Sequence, residues 1–243
     1  MKRSLRKIGR KLRRYVGVTP ENEFGRDPFW DMQQFVPSDA SPLILDVGGH
    51  IGDSIKLFKA AFPLSIIHSF EPNHESFGKL IENTPADDGT VRWNFALGAS
   101  PGKKTLFQNE STGMSSFLEL GEFGWGKIEN ESLVELRTID SFVAEQRIAR
   151  IDILKSDTQG YELEVLKGAE QALRANRVGL IYLELIFSPM YKGLPPVHQL
   201  FEYLNARNFE LVSIYRIQHQ RNVADWADAL FVNKRYFLKS HSV

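Results

Sequence analysis

The stretch that decides the fold is Ser41-Pro-Leu-Ile-Leu-Asp46-Val47-Gly48-Gly49-His50-Ile51-Gly52-Asp53, an apolar run that stops at a glycine-rich turn. SPLILDV (41–47) reads as a strand buried on both faces of a parallel sheet. Beyond the turn, Ile55, Leu57, Phe58, Ala61 and Phe62 fall at helical spacing. Parallel sheets bind ligands beyond the carboxyl ends of their strands, and glycine lets the backbone approach a ligand closely, so this turn is the expected cofactor cradle. The dinucleotide fingerprint G-x-G-x-x-G would need glycine at position 47, where Val47 stands.

Working outward, short apolar runs alternate with segments of helical period, which predicts an α/β fold with a mainly parallel sheet and helices on both faces. LSIIHSF (64–70) reads as a second strand, with Asn73 capping a helix that carries Phe77, Leu80 and Ile81. VRWNFAL (91–97) reads as a third strand, and GKKTLFQ (102–108) and VELRTI (134–139) as short extra strands. Residues 108–130, with four glycines and Met114, Phe117, Phe123 and Trp125, form either a cover over an acceptor or an aromatic-anchored surface loop. IDILKSD (151–157), VGLIYLELIF (178–187), FELVSIY (209–215) and DALFVNK (228–234) read as strands, and 163–173 and 198–207 as helices. No linker divides the body, so 21–243 is expected to be one domain behind an N-terminal segment at 1–20.

The 243 residues balance 30 Lys and Arg against 30 Asp and Glu, but eight of the bases stand in residues 1–14. That leaves 22 bases against 30 acids, a formal charge of −8, on the remainder. Leu5, Ile8, Leu12 and Tyr15/Val16 share a stripe among these bases, as in an amphipathic helix able to lie on an anionic membrane through residues 1–16. The alternative is a solvated, disordered tail. No run of membrane-spanning length occurs and the front end has no apolar signal core, so the expected location is the cytoplasm, with any membrane contact peripheral. Neutral overall charge gives no reason to expect nucleic acid as a partner. The absence of cysteine excludes a disulfide scaffold, and the six histidines lack zinc-site spacing, so no metal is expected.

Acidic residues collect at strand ends: Asp46, Glu71, Asp157 and Glu184. Such an edge repels a pyrophosphate and suits a cationic, phosphate-free ligand, as S-adenosyl-L-methionine is. Glu71 lies 25 residues beyond Asp46, about where a second strand's acid meets ribose hydroxyls in dinucleotide folds. Each acid also has a local reading. Asp46 and Asp157 could cap helices, Glu184 could pair with Lys155 on a neighbouring strand, and His50 could contact the cofactor, act as a base or bond locally.

ILDVGGHIGDS (44–54), HSFEPNHESF (68–77), NFALGAS (94–100), LRTIDSF (136–142), LKSDTQGYELEVLKGAEQAL (154–173) and IYLEL (181–185), in that order, resemble the FkbM family of methyltransferases over roughly residues 43–234. The most specific block is Lys155-Ser-Asp157-Thr-Gln159-Gly160-Tyr161-Glu162 followed by Leu166-Lys-Gly168-Ala169. The resemblance implies a Rossmann-like class I methyltransferase with a seven-stranded sheet and a reversed last strand, O-methylating a sugar, glycan or other small-molecule hydroxyl. It implies that Asp46, Gly48 and Gly52 are cofactor-turn residues, beside which Gly49 and His50 are candidate cofactor contacts from their place in the turn, that Glu71 meets the ribose, and that Asp157 and Gln159 face the transferred methyl group. His50 stands where the family often has Asn, and Ser156 where it has an apolar residue.

Methyl transfer to oxygen needs alignment and a base, for which Asp157 is the first candidate, with Glu162 and Glu184 as alternates. The competing reading is a non-catalytic or NAD(P)-binding Rossmann-like protein.

Overall fold

The computed structural model describes residues 23–85 and 89–235. The basic segment expected over 1–20, and the membrane contact expected through 1–16, lie outside these residues. In chain order the elements are α1 (Pro28–Gln33), β1 (Leu43–Val47), α2 (Asp53–Ala61), β2 (Ile66–Phe70), α3 (His74–Asn83), β3 (Thr90–Trp93), β4 (Ala96–Leu97), β5 (Gly102–Asn109) and a 3₁₀ turn (Thr112–Met114). They continue with β6 (Ile128–Arg137), α4 (Ile139–Glu145), β7 (Ile151–Ser156), α5 (Glu162–Lys167), α6 (Glu170–Arg174), β8 (Val178–Ile186), α7 (Val197–Asn205), β9 (Phe209–Ile214), β10 (Gln218–Gln220) and β11 (Val223–Asn233).

The main sheet runs β3-β2-β1-β7-β8-β11, parallel from β3 to β8, with β11 antiparallel to β8. β9 and β10 pair with different parts of β11, so these eight strands fill seven positions across the sheet. The reversed strand is therefore β11. No helix among the described residues is long and apolar enough to cross a membrane.

Side chains alternate across a pleated sheet, and the core divides accordingly. Ile44, Ile67, Ile153 and Leu180 pack with Met32, Phe58 and Leu80 from α1, α2 and α3. Leu45, Val47, Leu154 and Ile181 point the other way, onto Phe142, Leu166, Leu173 and Leu204 from α4 to α7. In β1 this alternation puts Asp46 on the same face as Ile44, toward α2.

Two sequence expectations need correction, and one helix lies where none was expected. VRWNFAL is not one strand: β3 ends at Trp93, Asn94 Nδ2 donates to the Glu71 carbonyl at 2.8 Å, and Phe95 turns in against Phe70 at 5.4 Å. β4 then joins β6 and β5 in a separate three-stranded sheet. The helix expected over 163–173 is interrupted at Gly168, where a Cβ would stand 2.1 Å from the Gly98 carbonyl oxygen. That close approach requires glycine, and Asp140 caps the second helix: its N–H donates to the Gly168 carbonyl at 2.9 Å, and its carboxylate accepts the N–H groups of Gln171 and Ala172 at 2.8 and 3.0 Å. Finally, α1 goes unassigned in the sequence reading, although Asp27 caps the amides of Phe29 and Trp30 and Pro28 occupies the first helical position.

Phe142 is fully buried, its ring 4.9 Å from Phe70 and 5.3 Å from both His68 and Trp93. Phe142→Ala should cost about 3–5 kcal/mol of unfolding free energy. Urea denaturation should show the midpoint falling while the slope stays unchanged.

Candidate cofactor and acceptor site

Strand register builds the centre of the site. Asp46 lies beside Ser69 on β2 and Lys155 on β7, and Lys155 lies beside Tyr182 on β8. Register partners in a parallel sheet share a face, so Ser69, Asp46, Lys155 and Tyr182 form one transverse row. Asp46 has no exposed surface, and its Oδ2 accepts from Ser69 Oγ at 2.7 Å and Ser54 Oγ at 2.9 Å. Lys155 Nζ stands 3.2 Å from Asp46 Oδ1, donates to the Gly48 carbonyl at 2.6 Å and lies 3.8 Å from Asp157 Oδ2. Burial works against the ammonium, but Asp46 and Asp157 outweigh it and hold the Lys155 pKa above its usual value. Lys155 thus pairs with Asp46 across the β1–β7 register and not with Glu184, the partner offered by the sequence.

The turn after β1 is too tight for side chains. Gly48 has φ +82°, and a Cβ there would lie 1.9 Å from the Asp157 carbonyl oxygen. A Cβ at Gly49 would come within 2.1 Å of Ser69 Oγ. Gly52, at φ +93°, closes the turn as the cap of α2. His50 donates its backbone N–H to Glu71 Oε2 at 2.9 Å, and its ring Nε2 meets Thr112 Oγ1 at 2.8 Å. Glu71 Oε1 accepts the Asn73 N–H at 2.7 Å. Burial drives the Glu71 pKa up to about 7, partly opposed by these two amide bonds.

Two cavities open on either side of this turn. The first runs from Gly48 and His50 past Glu71 to Leu97 and Phe117. The second is bounded by Ser54 and Leu57 of α2, Tyr182 and Glu184 of β8, and Asp228 of β11. Gly48, His50 and Asp157 line both. The first cavity offers glycine backbone, a preset carboxyl at Glu71 and the Asp157 carboxylate, a donor set that fits an adenosyl cofactor carrying a sulfonium and no phosphate.

Asp157 is the exposed acid of the group, its side chain 44% accessible. Gln159, held at φ +55°, donates through Nε2 to Asp157 Oδ1 and to Glu184 Oε2, both at 3.0 Å, and accepts from the Tyr191 hydroxyl at 2.8 Å. Glu162 turns inward instead: its Oε1 takes the Thr158 N–H at 2.7 Å and the Thr158 hydroxyl at 3.0 Å, and it lines neither cavity. Burial raises Glu162 to about 7, and burial together with Asp157, Glu162 and Asp228 raises Glu184 well above the carboxylate range. Asp228 lies directly opposite Glu184 in the β11–β8 register and accepts from Tyr182 OH at 2.9 Å. Thr112, Tyr182, Tyr191 and Asp228 join the site without having been singled out as site residues in the sequence. Tyr191 and Asp228 become visible only once the 187–196 turn and the reversed strand are placed.

The 108–130 stretch leans over these strand ends. Phe107 and Ser116 form a bridge, as do Leu120 and Tyr191, and Met114, Leu118, Leu120 and Phe123 pack against Ile186, Met190 and Tyr191. Phe117 is buried 4.8 Å from Tyr161, whereas Trp125 is exposed.

The chain matches the profile of the methyltransferase FkbM domain over residues 46–211. It belongs to the FkbM methyltransferase family. As a member it is an S-adenosylmethionine-dependent methyltransferase. Among its relatives, a 2-O-methyltransferase, NoeI, of Sinorhizobium fredii is 25% identical over 183 residues, 71% of this chain and 74% of NoeI. A hexuronic acid methyltransferase, AglP, of Haloferax volcanii is 26% identical over 151 residues, 61% of this chain and 57% of AglP. A solved structure, TrmK of M. capricolum with S-adenosylhomocysteine, superposes with TM-score 0.48 at 11% identity, over 83% of this chain and 66% of that one.

Lys155→Met should strand the buried Asp46 carboxylate and cost about 3–5 kcal/mol in urea denaturation. Asp46→Asn in the same background should recover part of that loss. Because Glu71 titrates near 7 when folded and near 4.5 otherwise, the folded state holds its proton longer. Its contribution to stability is therefore full below about pH 4.5 and declines as pH rises to about 7. The stability of the native protein minus that of Glu71→Gln should be larger at pH 5 than at pH 8, and a difference independent of pH would contradict the assignment.

Proposed function

We propose that this enzyme O-methylates a hydroxyl of a sugar or glycan, with Asp157 as the general base. The observation that supports this most directly is the position of Asp157 on the wall common to both cavities, with its carboxylate accessible. A hydroxyl entering from the second cavity reaches Asp157 on one side while a cofactor in the first lies on the other. The names of NoeI and AglP, one a 2-O-methyltransferase and one acting on a hexuronic acid, point to the same acceptor class.

In this reading Glu71 accepts hydrogen bonds from the ribose hydroxyls, and the Gly48–Gly49 backbone lies along the cofactor. When bound, S-adenosylmethionine would supply an electrophilic methyl carbon to the acceptor oxygen, its sulfur keeping the C–S electron pair. Asp157 takes the hydroxyl proton and later releases it to water. Gln159 keeps the Asp157 carboxylate aimed at the shared wall, and Lys155 stays with Asp46, out of the acceptor's way. Glu184, which also lines the second cavity, is the alternate base. The NAD(P) reading is weaker because Val47 replaces the first glycine and the acid at the end of β1 is buried under Lys155.

Asp157→Asn should bind S-adenosylhomocysteine within about threefold of the native protein by calorimetry, while methyl transfer falls about 100-fold. Undiminished transfer would remove Asp157 from the role. Heat from NADH, with none from S-adenosylhomocysteine, would overturn the cofactor assignment.

A further inference from the structure

The second cavity carries an electrostatic signature that the first does not. Asp53, Asp157, Glu184 and Asp228 line it, and among the described residues its one lining Lys or Arg is Lys155. That cation is already committed: Asp46 sits at 3.2 Å and the Gly48 carbonyl at 2.6 Å. Glu184 is only 7% exposed, and while Gln159 holds its Oε2, its Oε1 receives no hydrogen bond from any described residue. A largely buried carboxyl on a cavity wall, with one oxygen free of described donors, is a group that a ligand's donor would complete. Tyr182 spends its proton on Asp228, so it does not satisfy Glu184. The apolar side of the cavity, Phe29, Leu57 and Phe58, gives a ring face something to rest on.

We infer that this cavity is the acceptor subsite, and that it takes a polyhydroxylated ring that is neutral or carries an ammonium while excluding one that carries a carboxylate. The inference rests on the cofactor occupying the first cavity. A hydroxyl or ammonium hydrogen would meet Glu184 Oε1, whereas a carboxylate would enter beside Asp53, Asp157 and Asp228 with no uncommitted cation among the described residues of the wall to meet it. On this ground the chain parts company with a relative named for hexuronic acid, and acceptor charge becomes the property that the β8–β11 end of the sheet selects.

The test uses the full chain saturated with S-adenosylhomocysteine and the p-nitrophenyl glycosides of glucose, glucosamine and glucuronic acid, with binding read by saturation-transfer difference NMR. The glucoside and glucosaminide should bind at least about tenfold more tightly than the glucuronide. Asp228→Asn, which still accepts the Tyr182 hydroxyl, should narrow that gap. Leu57→Trp, at a half-exposed position on the cavity wall, should abolish glycoside binding while leaving the S-adenosylhomocysteine heat unchanged. A glucuronide that binds as well as the glucoside overturns the exclusion. Binding of none of the three, or binding that survives Leu57→Trp, overturns the acceptor subsite. Absence of S-adenosylhomocysteine heat in the native protein would instead sink the cofactor placement, which keeps the two failures distinct.

Discussion

The ion pair between Asp46 and Lys155 is the constraint on which the site depends. Two charges on adjacent central strands sit below the strand ends, where each alone would be costly to bury, and the match between β1 and β7 brings them together. Ser54 and Ser69 share the carboxylate, which ties α2 and β2 to the same point. Lys155 reaches on to the Gly48 carbonyl, so the glycine turn is anchored from below by the charge that the sheet has buried. A shift of register between β1 and β7 would break the pair and release the turn together.

From that anchor the rest of the site follows by contact. The turn presents the His50 amide to Glu71, and Gly48 packs against the Asp157 carbonyl, so the ends of β1, β2 and β7 are mutually positioned. Beyond β7 the order is set by the amide of Gln159, which bridges Asp157 and Glu184 and is itself oriented by Tyr191. Tyr191 belongs in turn to the turn that bridges Leu120, so the cover over the strand ends and the acid pair below it are parts of one connected network.

Much of this was legible in the sequence because local pattern and burial agreed. The strands β1, β2, β7 and β8 are short segments with apolar residues at most core-facing positions, and each ends at or carries one of the acids that the fold gathers, Asp46, Glu71, Asp157 and Glu184. What was hidden was non-local. VRWNFAL has strand character throughout, yet the pairing that divides it at Asn94 involves Glu71 and a second sheet. The helix breaks at Gly168 because Asp140, twenty-eight residues earlier, bonds the Gly168 carbonyl and caps the amides of Gln171 and Ala172. Glu184 was one possible partner for Lys155, and which neighbour it meets depends on register, a quantity that hydrophobic runs do not encode when both faces of a strand are buried. Asp228 looked like the start of an ordinary final strand until reversal of β11 set it opposite Glu184.

The latching of Glu71 has a thermodynamic consequence of its own. Two backbone amides clamp its carboxyl from opposite oxygens, so the rotamers of a long, flexible side chain are already frozen when the polypeptide folds. A ligand arriving there finds nothing left to immobilise, and more of what its hydroxyl groups gain survives as affinity.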